Sequence, residues 1–142
     1  SEVAELFPSW AERAAHPGFV FVGGPVHTDD ALVALGRVVA PGAPDASGAW
    51  QPLFGAVGSI DLGVPPDDVV PCVESFRAFA GYAGWGPGQL DDELDLGGWH
   101  VVDAEPGDLL TDAPDTLWRR VLRRQGGELA MAANQPPDPT VN

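Results

Sequence analysis

The chain has 142 residues, 44% of them apolar, which is one domain in size and enough to bury a core. Seven arginines and no lysine stand against 21 acidic residues, a formal charge of −14 that favours solubility and repels nucleic acid and anionic membrane surfaces. No apolar run approaches a membrane span, the opening residues carry no charged-then-apolar leader pattern, and the single cysteine, Cys72, excludes an intrachain disulfide and suits a reducing cytoplasm.

Taken in order, residues 1–16 read as helical, with Pro8 dividing the stretch and Ser9-Trp10-Ala11-Glu12 forming a capping-box pattern with Ser9 as N-cap. Pro17-Gly18 ends it. Phe19 to Val22 is a short apolar run suited to a buried strand, and Gly23-Gly24-Pro25 turns the chain sharply. After His27-Thr28-Asp29-Asp30, the run ALVALGRVV fits helix and strand almost equally. Pro41 to Gln51, rich in Pro, Gly, Ala and Ser, predicts a loop or hairpin tip whose far end Trp50 pins. Pro52 to Leu62 reads as a strand, with Gly55 and Gly58 marking a bulge or a close backbone approach. Gly63 to Asp68 predicts a turn, and Val69 to Cys72 a short helical turn or bridge. Val73 to Tyr82 has apolar residues on both sides, as an interior strand does.

The stretch Gly81 to Trp99, GYAGWGPGQLDDELDLGGW, combines a glycine-rich turn bearing Tyr82 and Trp85 with a short acidic helix. Pro87 suits the first helical position. Leu90 and Leu94 share one side at i, i+4, with Asp91, Asp92, Glu93 and Asp95 turned to water or a partner. Gly97-Gly98 stops the helix and Trp99 opens a strand to Ala104. Glu105 to Gly107 predicts a turn, Leu109 and Leu110 pack inward, and Asp112 or Asp115 caps a helix whose stripe is Leu117, Trp118, Val121 and Leu122. Gly126-Gly127 ends that helix, and the Pro-rich tail from Gln135 to Asn142 predicts extended or frayed chain.

This pattern resembles the YqgE/AlgH family of bacterial proteins: GYAGW, the GPGQL turn, the acidic helix and the following tryptophan, together with Gly23-Gly24-Pro25-Val26, Leu117-Trp118 and the late Asn142. The resemblance tips residues 31–39 towards a strand. It implies one α+β domain over residues 1–142, a mixed, strongly curved sheet closing into a pseudo-barrel flanked by short helices; composition alone gives only mixed α and β. Family members open with roughly 40 more residues, on ordinary strand and loop sizes, so the domain is expected to be N-terminally incomplete, Ser1 standing where an Asn-Arg-Pro-like turn would have just finished. Family members carry a label as transcriptional regulators, including of alginate production.

Each chemical motif has a bland reading beside its functional one. His27 with Asp29 and Asp30 could ligate a metal or move protons, but no paired-histidine zinc spacing accompanies it. His16 beside Pro17 and His100 beside Trp99 read as structural. The acids Asp91 to Asp95 lack the spacing of a calcium loop and read as a solvated helix face. Arg119 to Arg124 is the one basic cluster, a solvated helix end more often than a nucleic-acid site, and direct DNA binding is disfavoured by the charge. Neither glycine turn carries a phosphate-loop or dinucleotide fingerprint. Cys72 reads as a buried thiol.

The expectation is therefore a non-enzymatic cytoplasmic protein with no cofactor, no metal and no membrane partner, binding a protein or small ligand through Gly23, Gly24, Pro25, His27, Tyr82, Trp85, Gly86, Gln89 and Glu93. The alternative is a metal-assisted enzyme using His27 with Asp29 or Glu93.

Overall fold

A computed structural model describes residues 1–40 and 48–134. Most of the loop expected from Pro41, and the tail expected from Gln135 through Asn142, lie outside the described residues. The chain divides into two compact units, Ser1–Leu110 and Thr111–Asn142.

The first unit is built on a five-stranded mixed sheet ordered β1-β5-β2-β4-β3. Its strands are β1 Phe21–Val22, β2 Leu32–Val38, β3 Trp50–Phe54, β4 Val57–Ile60 and β5 Val73–Ala80. β1 runs parallel to β5, and the other pairs are antiparallel. Among the described residues the sheet is open, with β1 and β3 as its edges; the expected barrel closure is not formed there. Residues 31–39 resolve as strand β2, and β5 is interior as its two-sided apolar pattern predicts. The expected single strand from Pro52 to Leu62 is instead a hairpin: β3 and β4 turn at Gly55, which has φ 51°. Gly58 is the close approach, because a Cβ there would lie 2.3 Å from the Gln51 carbonyl oxygen and 2.7 Å from the Trp50 ring.

One sheet face carries the core, with Ala34, Val38, Trp50, Ile60, Val73, Phe76 and Ala78 buried. Helix α1 Val3–Leu6 and the 3-10 helix Pro8–Arg13 supply Val3 and Trp10 to it. Trp10 meets Phe76 edge-on at 5.4 Å and donates its indole N–H to the Val64 carbonyl at 3.0 Å, so its one polar atom is satisfied in the interior. Pro8 does divide the opening helix, but it is itself the first residue of the second piece, and Phe7 rather than Ser9 sits at the cap. A proline's missing N–H suits that first position better than a serine one residue later.

On the opposite face, Arg77 of β5 is buried. Its guanidinium donates to the backbone carbonyls of His16 at 2.7 Å and Leu109 at 2.9 Å and lies 4.9 Å from the centre of the Phe21 ring. Burial pushes its pKa down, because desolvation penalises the charged form. Leu109 belongs to α3, Pro106–Leu109, where a turn was expected; Glu105 and Asp108 close it as a reciprocal capping box. The helical turn expected at Val69 to Cys72 falls earlier, at Pro66–Asp68. Cys72 is exposed, not a buried thiol.

The second unit contains α4, Leu117–Gln125, and α5, Gly127–Ala132. Leu122 is buried and Trp118 is half exposed. Neither Asp112 nor Asp115 caps α4; a 3-10 turn, Pro114–Thr116, leads into it, and the Thr111 hydroxyl accepts from the Ala113 N–H and from Arg120. Gly126 ends α4 at φ 72°, as expected.

Candidate functional site

The two glycine turns meet. Val26 and Tyr82 form an antiparallel bridge, each N–H donating to the other's carbonyl at 3.0 Å. The approach is too close for side chains. A Cβ on Gly24 would sit 2.2 Å from the Tyr82 carbonyl carbon, and one on Gly23 2.5 Å from the Gly81 oxygen. Gly81, at φ 78°, also occupies a conformation that a Cβ disfavours.

From this junction the chain presents its rings. Tyr82 is 43% exposed and stacks on His27, ring centres 5.8 Å apart and planes at 17°. His27 has φ 53°, a left-handed conformation uncommon for residues other than glycine. Its carbonyl accepts from the Asp30 and Ala31 N–H groups, and its Nδ1 pairs with the Asp30 carboxylate at 3.0 Å. Asp30, not Asp29 or Glu93, is therefore the carboxylate His27 engages. The i, i+3 spacing of the two was the available signal.

Gly86 donates its N–H to the Gln89 side-chain oxygen at 3.1 Å, closing the turn, and α2, Gln89–Asp95, begins there, two residues after Pro87. Gly88 stands before it at φ 78°. No residue of α2 is buried. Leu94 is half covered and Leu90 is exposed, so the expected apolar side is only partly used. Gly97 and Gly98 end the helix as expected, their N–H groups donating to the Leu94 and Glu93 carbonyls.

Beyond that stop the expected strand Trp99 to Ala104 does not form; these residues pair with no strand among those described. Trp99 instead turns back onto α2. The Glu93 carboxylate accepts the indole N–H of Trp85 and, at 3.3 Å, that of Trp99. The two indoles pack edge-to-face at 5.6 Å, 41% and 50% exposed. Trp99 has the aromatic character to line an interface but is expected from the sequence to open a strand, outside the binding set, since a tryptophan after a glycine stop reads as readily as the start of a strand.

The structure thus gathers the expected residues, joined by Val26, Asp30 and Trp99, into two groups neighbouring in sequence: Gly23, Gly24, Val26, His27, Asp30 and Tyr82 in one, Trp85, Gly86, Gln89, Glu93 and Trp99 in the other. Pro25 lies within the first turn. Only Ala83 and Gly84 separate Tyr82 from Trp85, a backbone reach of about 11 Å at most. Among the described residues, no three His, Cys, Asp or Glu side chains converge to hold a metal ion, and no helix is long and apolar enough to cross a membrane.

Comparison with known proteins agrees with this architecture. The AlgH-like family model matches residues 1–130. A UPF0301 protein of Streptomyces coelicolor is 50% identical over 144 residues, covering 99% of this chain and 73% of its own length. A UPF0301 protein of Thermobifida fusca is 40% identical over 148 residues, with 99% and 73% covered. The crystal structure of protein DIP2367 from Corynebacterium diphtheriae superposes with a TM-score of 0.84 at 28% identity, covering 94% of this chain and 70% of that one. With the same fold, and with half its residues shared with one relative across almost its whole length, the chain belongs to the AlgH-like family.

Proposed function

We propose that the chain acts by binding rather than by catalysis, through the surface formed by the Gly23-Gly24-Pro25-Val26 turn and the Tyr82 to Trp99 segment, and that its partner is a protein in the bacterial cytoplasm. The observation that carries this reading is the treatment of Trp85 and Trp99. Both rings stand half in water, yet one carboxylate holds both indole N–H groups. Exposed aromatic rings with little freedom to lose bind at low entropic cost, and such rings dominate the energetics of protein interfaces. The polar groups that an enzyme would spend on substrate are engaged in positioning: Glu93 on the indoles, Asp30 on His27.

The finer reading, a part in transcriptional regulation, would on this account pass through a protein partner. A chain of charge −14 gains nothing from the phosphate attraction that drives DNA association. The test compares partners captured from a lysate of the source bacterium by the wild-type chain and by Trp85→Ala. The expected result is a stoichiometric partner lost from the variant while circular dichroism and melting temperature are retained. Identical partners on both baits would refute the proposal.

A further inference from the structure

The turn before α2 and the residues after it fold into a corner with a distinct chemistry. Trp85 and Trp99 stand at 69° with their ring centres 5.6 Å apart, so an indole face forms each wall, and both rings are partly open to water. Glu93 closes the base. Its Oε2 accepts both indole N–H groups, while its Oε1 makes no hydrogen bond among the described residues. Every contact that shapes the corner lies within residues 85–99. Among the described residues no cation of the chain occupies it: no arginine lies over either indole, and none pairs with Asp91, Asp92, Glu93 or Asp95. The arginines nearest in sequence are Arg77 and Arg119, and Arg77 is committed to the carbonyls of His16 and Leu109.

An indole face is electron-rich and attracts cations more strongly than the other aromatic rings do. The Glu93 carboxylate adds a full negative charge and an open acceptor at the base. Asp91, Asp92 and Asp95 stand exposed on the same helix, with no arginine or lysine from 82 to 99, which raises the local concentration of cations. Three kinds of side-chain cation could answer. A quaternary ammonium has no N–H for Oε1, and is ordinarily held by a closed aromatic cage, of which two walls are present here. A lysine ammonium can donate, but it is a strongly hydrated point charge that cannot lie flat on a ring. A guanidinium is planar and weakly hydrated, stacks on an aromatic face and offers N–H groups in its own plane to a carboxylate at its edge. We propose, as a step that rests on the binding function above, that the corner receives an arginine side chain of the partner protein, its guanidinium laid on an indole face and donating to Glu93 Oε1.

The experiment follows the tryptophan indole N–H signals of the full chain by two-dimensional NMR, at about pH 8, above the ordinary range of histidine, so that the neighbouring His100 is uncharged in every titration. Trp85→Ala and Trp99→Leu assign the two signals of the corner. A capped glycine–serine peptide with one central arginine is added to about 10 mM, the range of a single-side-chain contact. Matched peptides carry lysine, trimethyllysine or citrulline, the last an uncharged isostere of arginine. Saturable shifts of the Trp85 and Trp99 signals are expected, with arginine about fivefold tighter than citrulline and about threefold tighter than either lysine form. Glu93→Gln, which keeps an oxygen for the indoles, should weaken the arginine peptide roughly fivefold, and Trp99→Leu should abolish its binding at an unchanged melting temperature. Equal affinity for citrulline, equal or tighter binding of trimethyllysine, shifts confined to other tryptophans, or indifference to Glu93→Gln would each overturn the proposal. The four peptides on the wild-type chain decide it even if a variant fails to fold. An arginine peptide that moves neither corner signal, with the captured partner still lost from Trp85→Ala, removes the arginine and leaves the binding function standing. Capture unchanged in Trp85→Ala removes both.

Discussion

Gly24 shows how a missing side chain positions a surface. Its Cα lies against the Tyr82 backbone with no room for a methyl group, and backbone cannot swing away as a flexible side chain can. Gly24→Ala should therefore cost about 3 kcal/mol, at the upper end of overpacking effects. Gly84→Ala, whose Cβ would meet only the Tyr82 ring at 3.9 Å, should change stability by less than about 0.5 kcal/mol. Urea denaturation of the two variants reads the difference directly. Arg77 makes the complementary case, a charge held inside by two carbonyls and an aromatic face. Arg77→Ala orphans those carbonyls and should cost about 2–3 kcal/mol. Arg37→Ala, which removes only a 3.2 Å surface pair with Glu74, should cost under about 1 kcal/mol in the same assay. The glycines announced their close approach in the sequence, since Gly23-Gly24 and Gly81, each at the end of an apolar strand, have few other uses. Nothing announced Arg77, because an arginine in an apolar run is read as solvent-facing until the loop above it is known.

At the scale of elements, legibility followed how local the determinants were. β5 could be read because its neighbours on both sides are apolar, and both faces of that strand are indeed covered in its middle. The β3–β4 hairpin was missed because its Gly55-Ala56 turn lacks the Asn-Gly or Asp-Gly signal. The acidic helix and its glycine stop were legible, but its dependence on Trp99 was not, since a contact six residues away through a turn leaves no periodic trace. That dependence can be tested. With no buried residue, α2 must draw its stability from its stop and from the bonds Glu93 makes to Trp85 and Trp99, because so short a helix does not hold itself together. In Glu93→Ala, amide hydrogen exchange should accelerate across residues 89–98 while β5 stays protected, and acrylamide should quench tryptophan fluorescence more strongly. Unchanged exchange in α2 would mean that the indole contacts are incidental to it.

Across the whole molecule, the division after Leu110 separates very unequal parts. Every residue of the main core cluster, from Val3 to Ala78, belongs to the first unit, as do all five strands and every residue of the candidate site. Among its described residues the second unit offers Leu122 and Ala133 as buried apolar residues, too little interior for independent folding at that size. The conformational entropy of ordering the second unit therefore has little burial of its own to offset it. A chain ending at Leu110, which loses Trp118, should accordingly unfold in one cooperative thermal transition and retain whatever partner the full chain captures. The isolated segment from Thr111 onward should show only partial helicity that melts without a transition. If the shortened chain instead loses cooperativity, the sheet does not carry its own stability, and the function assigned to its surface would have to be sought in the intact chain.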